Sequence, residues 1–160
     1  MTASETSIRL GFFFGVFFVV AVCEILAPRR PLSNSKAARW GANLVIVGLN
    51  PLSVRALFPI LPVAMAHLTV EQQWGLFSHL PLPYGLEVVL GILALDLTIY
   101  LQHVLHHAVP ALWRLHMVHH ADLDYDVTTG LRFHPLEIVV SMGIKLSMVA
   151  ALGPPPLAVL

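Results

Sequence analysis

Seven of the chain's nine histidines lie between His103 and His134. They read HVLHH over 103–107 and HMVHH over 116–120, with a single His134 in Arg132-Phe133-His134-Pro135. Imidazole is largely neutral near pH 7 and is the commonest metal-binding side chain. Residues three or four apart share one face of a helix. His103 and His107 therefore point together, with His106 beside them, and His116, His119 and His120 form a second group. An ion takes roughly four to six protein and water ligands, so the two clusters with His134 predict a site for two metals. Asp96, Asp122 and Glu137 are candidates to accept the ring N–H groups that fix tautomer and orientation. The isolated His67 and His79 are read as loop or interfacial residues, since one ligand cannot hold a metal.

The elements that must position these residues are apolar helices. Hydrophobic residues make up 57% of the chain and charged ones 11%, with a mean hydropathy of +0.78. A soluble domain carries about 25% charged residues. The expected fold is therefore an all-α, polytopic integral membrane bundle, one domain over 1–160. Spans are expected at about 10–27, 41–66, 84–105 and 136–160, each near the roughly 20 residues that cross a bilayer. The second should be kinked or split by Asn50-Pro51 and Arg55, and Pro154-Pro155-Pro156 should shorten the fourth. Asp96, Tyr100, His103 and His107 are spaced four, three and four, so one stripe runs along the third span into the histidines. An ionisable residue within a span is a functional candidate by default.

Charge supplies an orientation. Arg29, Arg30, Lys36 and Arg39 lie between the first two spans, while the segment from His67 to Pro83 has no Lys or Arg. By the positive-inside rule the first loop is cytoplasmic, and the third span then delivers the histidines to that same side. Arg114 and Arg132 agree with this. The net charge of zero gives no case for nucleic acid. The lone Cys23 excludes an internal disulfide and a multi-thiolate site.

Taken in order, Asp96, Tyr100, His103, His107, Leu112-Trp113, His116, His119-His120, Thr129, Arg132, His134-Pro135 and Glu137 resemble the fatty acid hydroxylase/sterol desaturase superfamily of membrane enzymes. Its HxxxH motif falls on His103 and His107, and its HxxHH motif on His116, His119 and His120. The family often has Arg after the first histidine, where this chain has Val104, and His106 occupies a position with no fixed role. The resemblance implies a non-haem di-iron centre activating O2 at the cytoplasmic membrane face, with Asp96 and Tyr100 as candidate catalytic residues. A further HxxHH cluster usual nearer the C-terminus is not found before Leu160, so the chain is expected to be either part of a longer enzyme or a degenerate member of the family.

Iron suits the implied chemistry, because an aliphatic C–H bond has no acidic proton for a side chain to remove. The substrate is expected to be a lipid entering from the bilayer, to be hydroxylated or desaturated. Electrons must come from a cytochrome b5-like or ferredoxin-like carrier, since no G-x-G-x-x-G dinucleotide fingerprint occurs. A zinc hydrolase would show H-E-x-x-H, and neither cluster contains a glutamate. A haem cytochrome would use only an axial pair and leave most of these histidines idle. A non-catalytic membrane metal-binding protein is the alternative that the histidines also fit.

Overall fold

A computed structural model describes residues 3–160, with side chains from Thr6 onward. Among the described residues it is all-helical: α1 (Ala3–Leu26), α2 (Lys36–Leu57), α3 (Pro62–Gln72), α4 (Tyr84–Ala108), α5 (Pro110–His120), α6 (Pro135–Leu152) and α7 (Pro156–Val159). Single 3₁₀ turns occur at Phe77–His79 and Thr129–Leu131. Four segments of these residues are long and apolar enough to cross a membrane: Thr6–Leu26, Lys36–His79, Tyr84–Ala108 and Pro135–Leu152.

Proline sets the joints. The residue before a proline is pushed out of the helical region, while proline itself suits the first helical position, where its missing N–H would be unpaired anyway. Phe58, Leu61, Val109 and His134 all precede prolines, and all four are extended or near-extended. Pro62, Pro110 and Pro135 then open α3, α5 and α6. The second span is split, but elsewhere than at Asn50-Pro51: α2 is continuous through Pro51, and the chain breaks between Phe58 and Leu61. Beside Pro51, the buried Asn50 donates to the Phe133 carbonyl at 3.3 Å, and the Ser53 hydroxyl donates to the Leu49 carbonyl at 3.0 Å.

Helix α6 is the hub, packed against α2, α3 and α4. Ala66, Leu95 and Val149 form the apolar centre, flanked by Met65, Met148 and Val159. Most other large apolar side chains face outward, Phe12, Phe14 and Phe18 of α1 among them, as expected of helices solvated by lipid. Helix α1 is tied to the bundle near its C-terminal end. Both carboxylate oxygens of Glu24 accept the Val127 N–H, at 3.1 and 3.2 Å, and Phe17 meets Trp40 at 6.3 Å.

The two ends of the bundle differ in kind. At one, Gly75 (φ 89°) and Gly153 (φ 63°) cross so closely that a Cβ on Gly153 would lie 2.2 Å from the Trp74 carbonyl oxygen. Both the left-handed backbone and this approach require glycine. At the other end, the basic loop between α1 and α2 meets the segment joining α5 to α6, through hydrogen bonds from Ser33 and Asn34 to Asp124. That end carries the histidines.

Candidate metal centre

The break at Val109-Pro110 folds α5 back on α4, so that two histidine groups written on successive helices face each other. Ring centroids of His103 and His116 are 4.7 Å apart, those of His107 and His116 4.8 Å, and those of His107 and His120 4.9 Å. Within each helix, Nε2 of His103 lies 3.2 Å from that of His107, and Nε2 of His116 lies 3.2 Å from that of His120. Ligand nitrogens of His103, His107 and His116 all fall within 4.8 Å of one another. Trp113 walls the group, 5.3 Å from His107 and 5.6 Å from His120.

Glu137 fixes His116. The ring is fully buried, and its Nδ1 lies 2.7 Å from Oε1 of the buried Glu137. A carboxylate oxygen accepts, so Nδ1 carries the hydrogen and Nε2 presents its lone pair to the cluster. Burial first, then the neighbouring rings of His103, His120 and His107, lowers the His116 pKa to about 4. The imidazole is thus neutral at pH 7 and available as a ligand. Glu137→Gln should weaken metal binding about 10–100-fold, the usual cost of losing such a partner, while leaving the fold intact. Competition against a chelator of known affinity measures this, and an unchanged constant would remove Glu137 from the site.

The remaining sequence candidates take different places. His106 is buried, and its Nδ1 donates to the Gln102 carbonyl at 2.8 Å. Its Nε2, left as a bare acceptor, has no partner among the described residues, and its ring lies 5.7 Å from His116. His119 turns to the flank: it stacks on Phe133 at 4.6 Å, and Tyr125 Oη lies 3.0 Å from its Nε2. Burial, then the His120 and His116 rings, lowers its pKa. His134 caps α6, its Nδ1 accepting the Leu136 N–H at 3.1 Å, and makes no ring contact with the cluster among the described residues. Asp96 and Tyr100 sit on the exposed face of α4, below His103. Of the three carboxylates considered as supports for ring N–H groups, only Glu137 meets a histidine.

Asp122 instead joins a clamp around Arg39. Nε of Arg39 donates to Asp122 Oδ1 at 2.8 Å, and Nη2 donates to Asp126 Oδ2 at 3.0 Å and to the Asp124 carbonyl. Thr129 Oγ1 adds a bond to Asp122 at 2.6 Å, and Trp40 Nε1 one to Asp126 at 2.9 Å. The Arg39 guanidinium holds the Asp122 carboxyl far below the usual carboxylate range. Burial pushes Asp126 up, but Thr128, Trp40 and Arg39 outweigh it and leave a net lowering. The clamp escaped sequence reading. Its only local signal is acid at alternate positions, Asp122, Asp124 and Asp126, and its cation lies more than eighty residues upstream.

The donor set fits a metal: imidazoles converge, one tautomer is set by a carboxylate, and two buried ring nitrogens, Nε2 of His106 and Nδ1 of His119, have no partner among the described residues. No curated protein and no solved structure matches the chain. The family model for fatty acid hydroxylases matches residues 88–160, the stretch that contains the whole histidine cluster, Trp113 and Glu137. Over this segment the chain is similar to the fatty acid hydroxylase family.

Proposed function

We propose that the chain oxidises a C–H bond of a membrane lipid with O2, as a hydroxylase or desaturase, at two iron ions held by the histidine cluster. One observation carries this reading: His103, His107, His116 and His120 converge at one end of a bundle of apolar helices, inside the segment that matches the family. Two nitrogens each about 2.1 Å from one ion lie roughly 3.0–3.4 Å apart, which suits the two 3.2 Å pairs.

Iron, when bound, supplies the oxidising power that acid–base side chains lack. The chain's own work is orientation and support. Glu137 holds Nδ1–H of His116 and so aims Nε2 inward; His106 keeps a ligand atom in reserve behind it. Trp113 braces His107 and His120, and Phe133 stacks against His116 and His119. The lipid chain lies along the outer face of α4, where Tyr100 and Asp96 stand roughly 4.5 and 10 Å along the axis from His103. The histidine end faces the cytoplasm by the positive-inside rule, where a cytochrome b5-like or ferredoxin-like carrier delivers electrons.

The test is iron content together with the fate of 18O2 in membranes holding the protein, a reduced carrier and lipid. About two iron ions per chain, with 18O in the lipid, identify a hydroxylase; a new double bond with 18O only in water identifies a desaturase. Iron retained without lipid- and O2-dependent turnover would make the chain a metal-binding protein instead.

A further inference from the structure

At the histidine end, away from the rings, a cavity of about 700 Å³ opens between the end of α1 and the segment 124–126. Its cations are Arg29, Arg30 and Lys36, and its acids are Glu24, Asp124 and Asp126. The two sets balance in number, and each acid also accepts hydrogen bonds from its neighbours. Glu24 holds the Val127 N–H, Asp124 holds the N–H groups of Ser33 and Asn34, and Asp126 holds Arg39, Trp40 and Thr128. Among the cations, Arg30 spends one N–H on the Leu123 carbonyl at 2.6 Å, and Lys36 Nζ stands over Trp40 at 5.0 Å. Neither these two nor Arg29 forms an ion pair among the described residues. Three cations against three acids leave this first cavity without a net excess of charge.

A second hollow of about 600 Å³ continues from it, where Arg29, Arg30 and Lys36 face Glu24 as the one acid, so positive charge is in excess, and where Ile25, Pro31 and Leu32 add apolar lining. Ile25 and Leu32 are both exposed, and Ile25 belongs to the last turn of the first apolar span. Cationic inside and apolar toward the bilayer, this hollow has the two-part character of a phospholipid where headgroup meets acyl chain. Basic pockets at this depth attract anionic headgroups, and guanidinium pairs bidentately with phosphate.

We infer that this second hollow is a binding site for the phosphate headgroup of an anionic phospholipid. The site is separate from the oxidation chemistry and does not depend on it, although Tyr125, which lines the first cavity, also reaches His119.

Native mass spectrometry of the protein in an uncharged detergent tests it, with phosphatidylglycerol and phosphatidylcholine of identical acyl chains as probes. The wild type should retain phosphatidylglycerol at least about tenfold better. Arg29→Gln with Lys36→Gln should abolish the preference, Arg29→Lys with Lys36→Arg should restore it, and Arg114→Gln, elsewhere at the same end, should leave it intact. Equal retention of both lipids, or a preference that survives the double Gln variant, overturns the site. Displacement of phosphatidylglycerol by millimolar inorganic phosphate would overturn the lipid assignment in favour of a free anion. The readout is independent of iron and turnover, so its failure is distinct from failure of the oxidase reading.

Discussion

His116→Ala should strip the protein of metal and activity together. Its ring touches more of the cluster than any other, lying within 4.9 Å of His103, His107 and His120. It is also the only member of the group with a buried carboxylate on its far nitrogen. Truncation removes a ligand and strands Glu137 in a buried site, where its second oxygen already lacks a partner. Metal affinity should fall by more than the roughly 10–100-fold that loss of a supporting partner costs. Iron per chain and turnover should both drop to background, while His79→Ala, at the opposite end of the bundle, changes neither. Retained iron in the His116 variant, with the fold intact by circular dichroism, would remove the cluster from the function altogether.

The second large effect belongs to Arg39. Removing one partner from a buried ion pair leaves an uncompensated charge and costs about 3–5 kcal/mol. Arg39→Ala strands two carboxylates, Asp122 and Asp126, whose side chains are 3% and 8% exposed. The segment joining α5 to α6 should loosen, and the unfolding temperature in detergent should fall by several degrees. The pH dependence should also weaken. In the wild type both carboxyls titrate below their unfolded value of about 3.9, so they stabilise the fold above that pH. Their contribution is lost as pH falls through the lower folded values. Without the guanidinium the lowering of Asp122 loses its largest cause, so acidification should cost the variant less stability than it costs the wild type. Parallel pH profiles for both proteins would refute the clamp.

Much of the site was legible in the sequence because helical period is local. Spacings of three and four put His103 with His107 and His116 with His120, and Pro110 marks the joint that turns one pair onto the other. Periodicity cannot say which side of a helix meets a neighbour. Asp96 continues the stripe of His103 by register, yet that side of α4 faces outward at Asp96's level. His119 falls within the HxxHH pattern, but its side chain is drawn off by Tyr125 and Phe133, which follow in the next loop. The break in the second span moved from Pro51 to Phe58–Leu61 because two X-Pro steps in close succession exclude helix where one proline inside a long apolar helix does not. The Arg39 clamp was out of reach for a different reason: its partners are brought together only by the packing of α2 against α6.

The length of that connection has a consequence for biogenesis. Arg39 precedes Asp122 by 83 residues and Asp126 by 87. At roughly 5–20 residues per second of synthesis, the cation leaves the ribosome roughly 4–17 s before its acids exist. During that interval the nascent α1–α2 hairpin must keep Arg39 hydrated at the bilayer surface. The loop that carries the last histidines can lock only after the third span is inserted. Closure of the clamp is therefore a late event in the life of the chain, following insertion instead of guiding it.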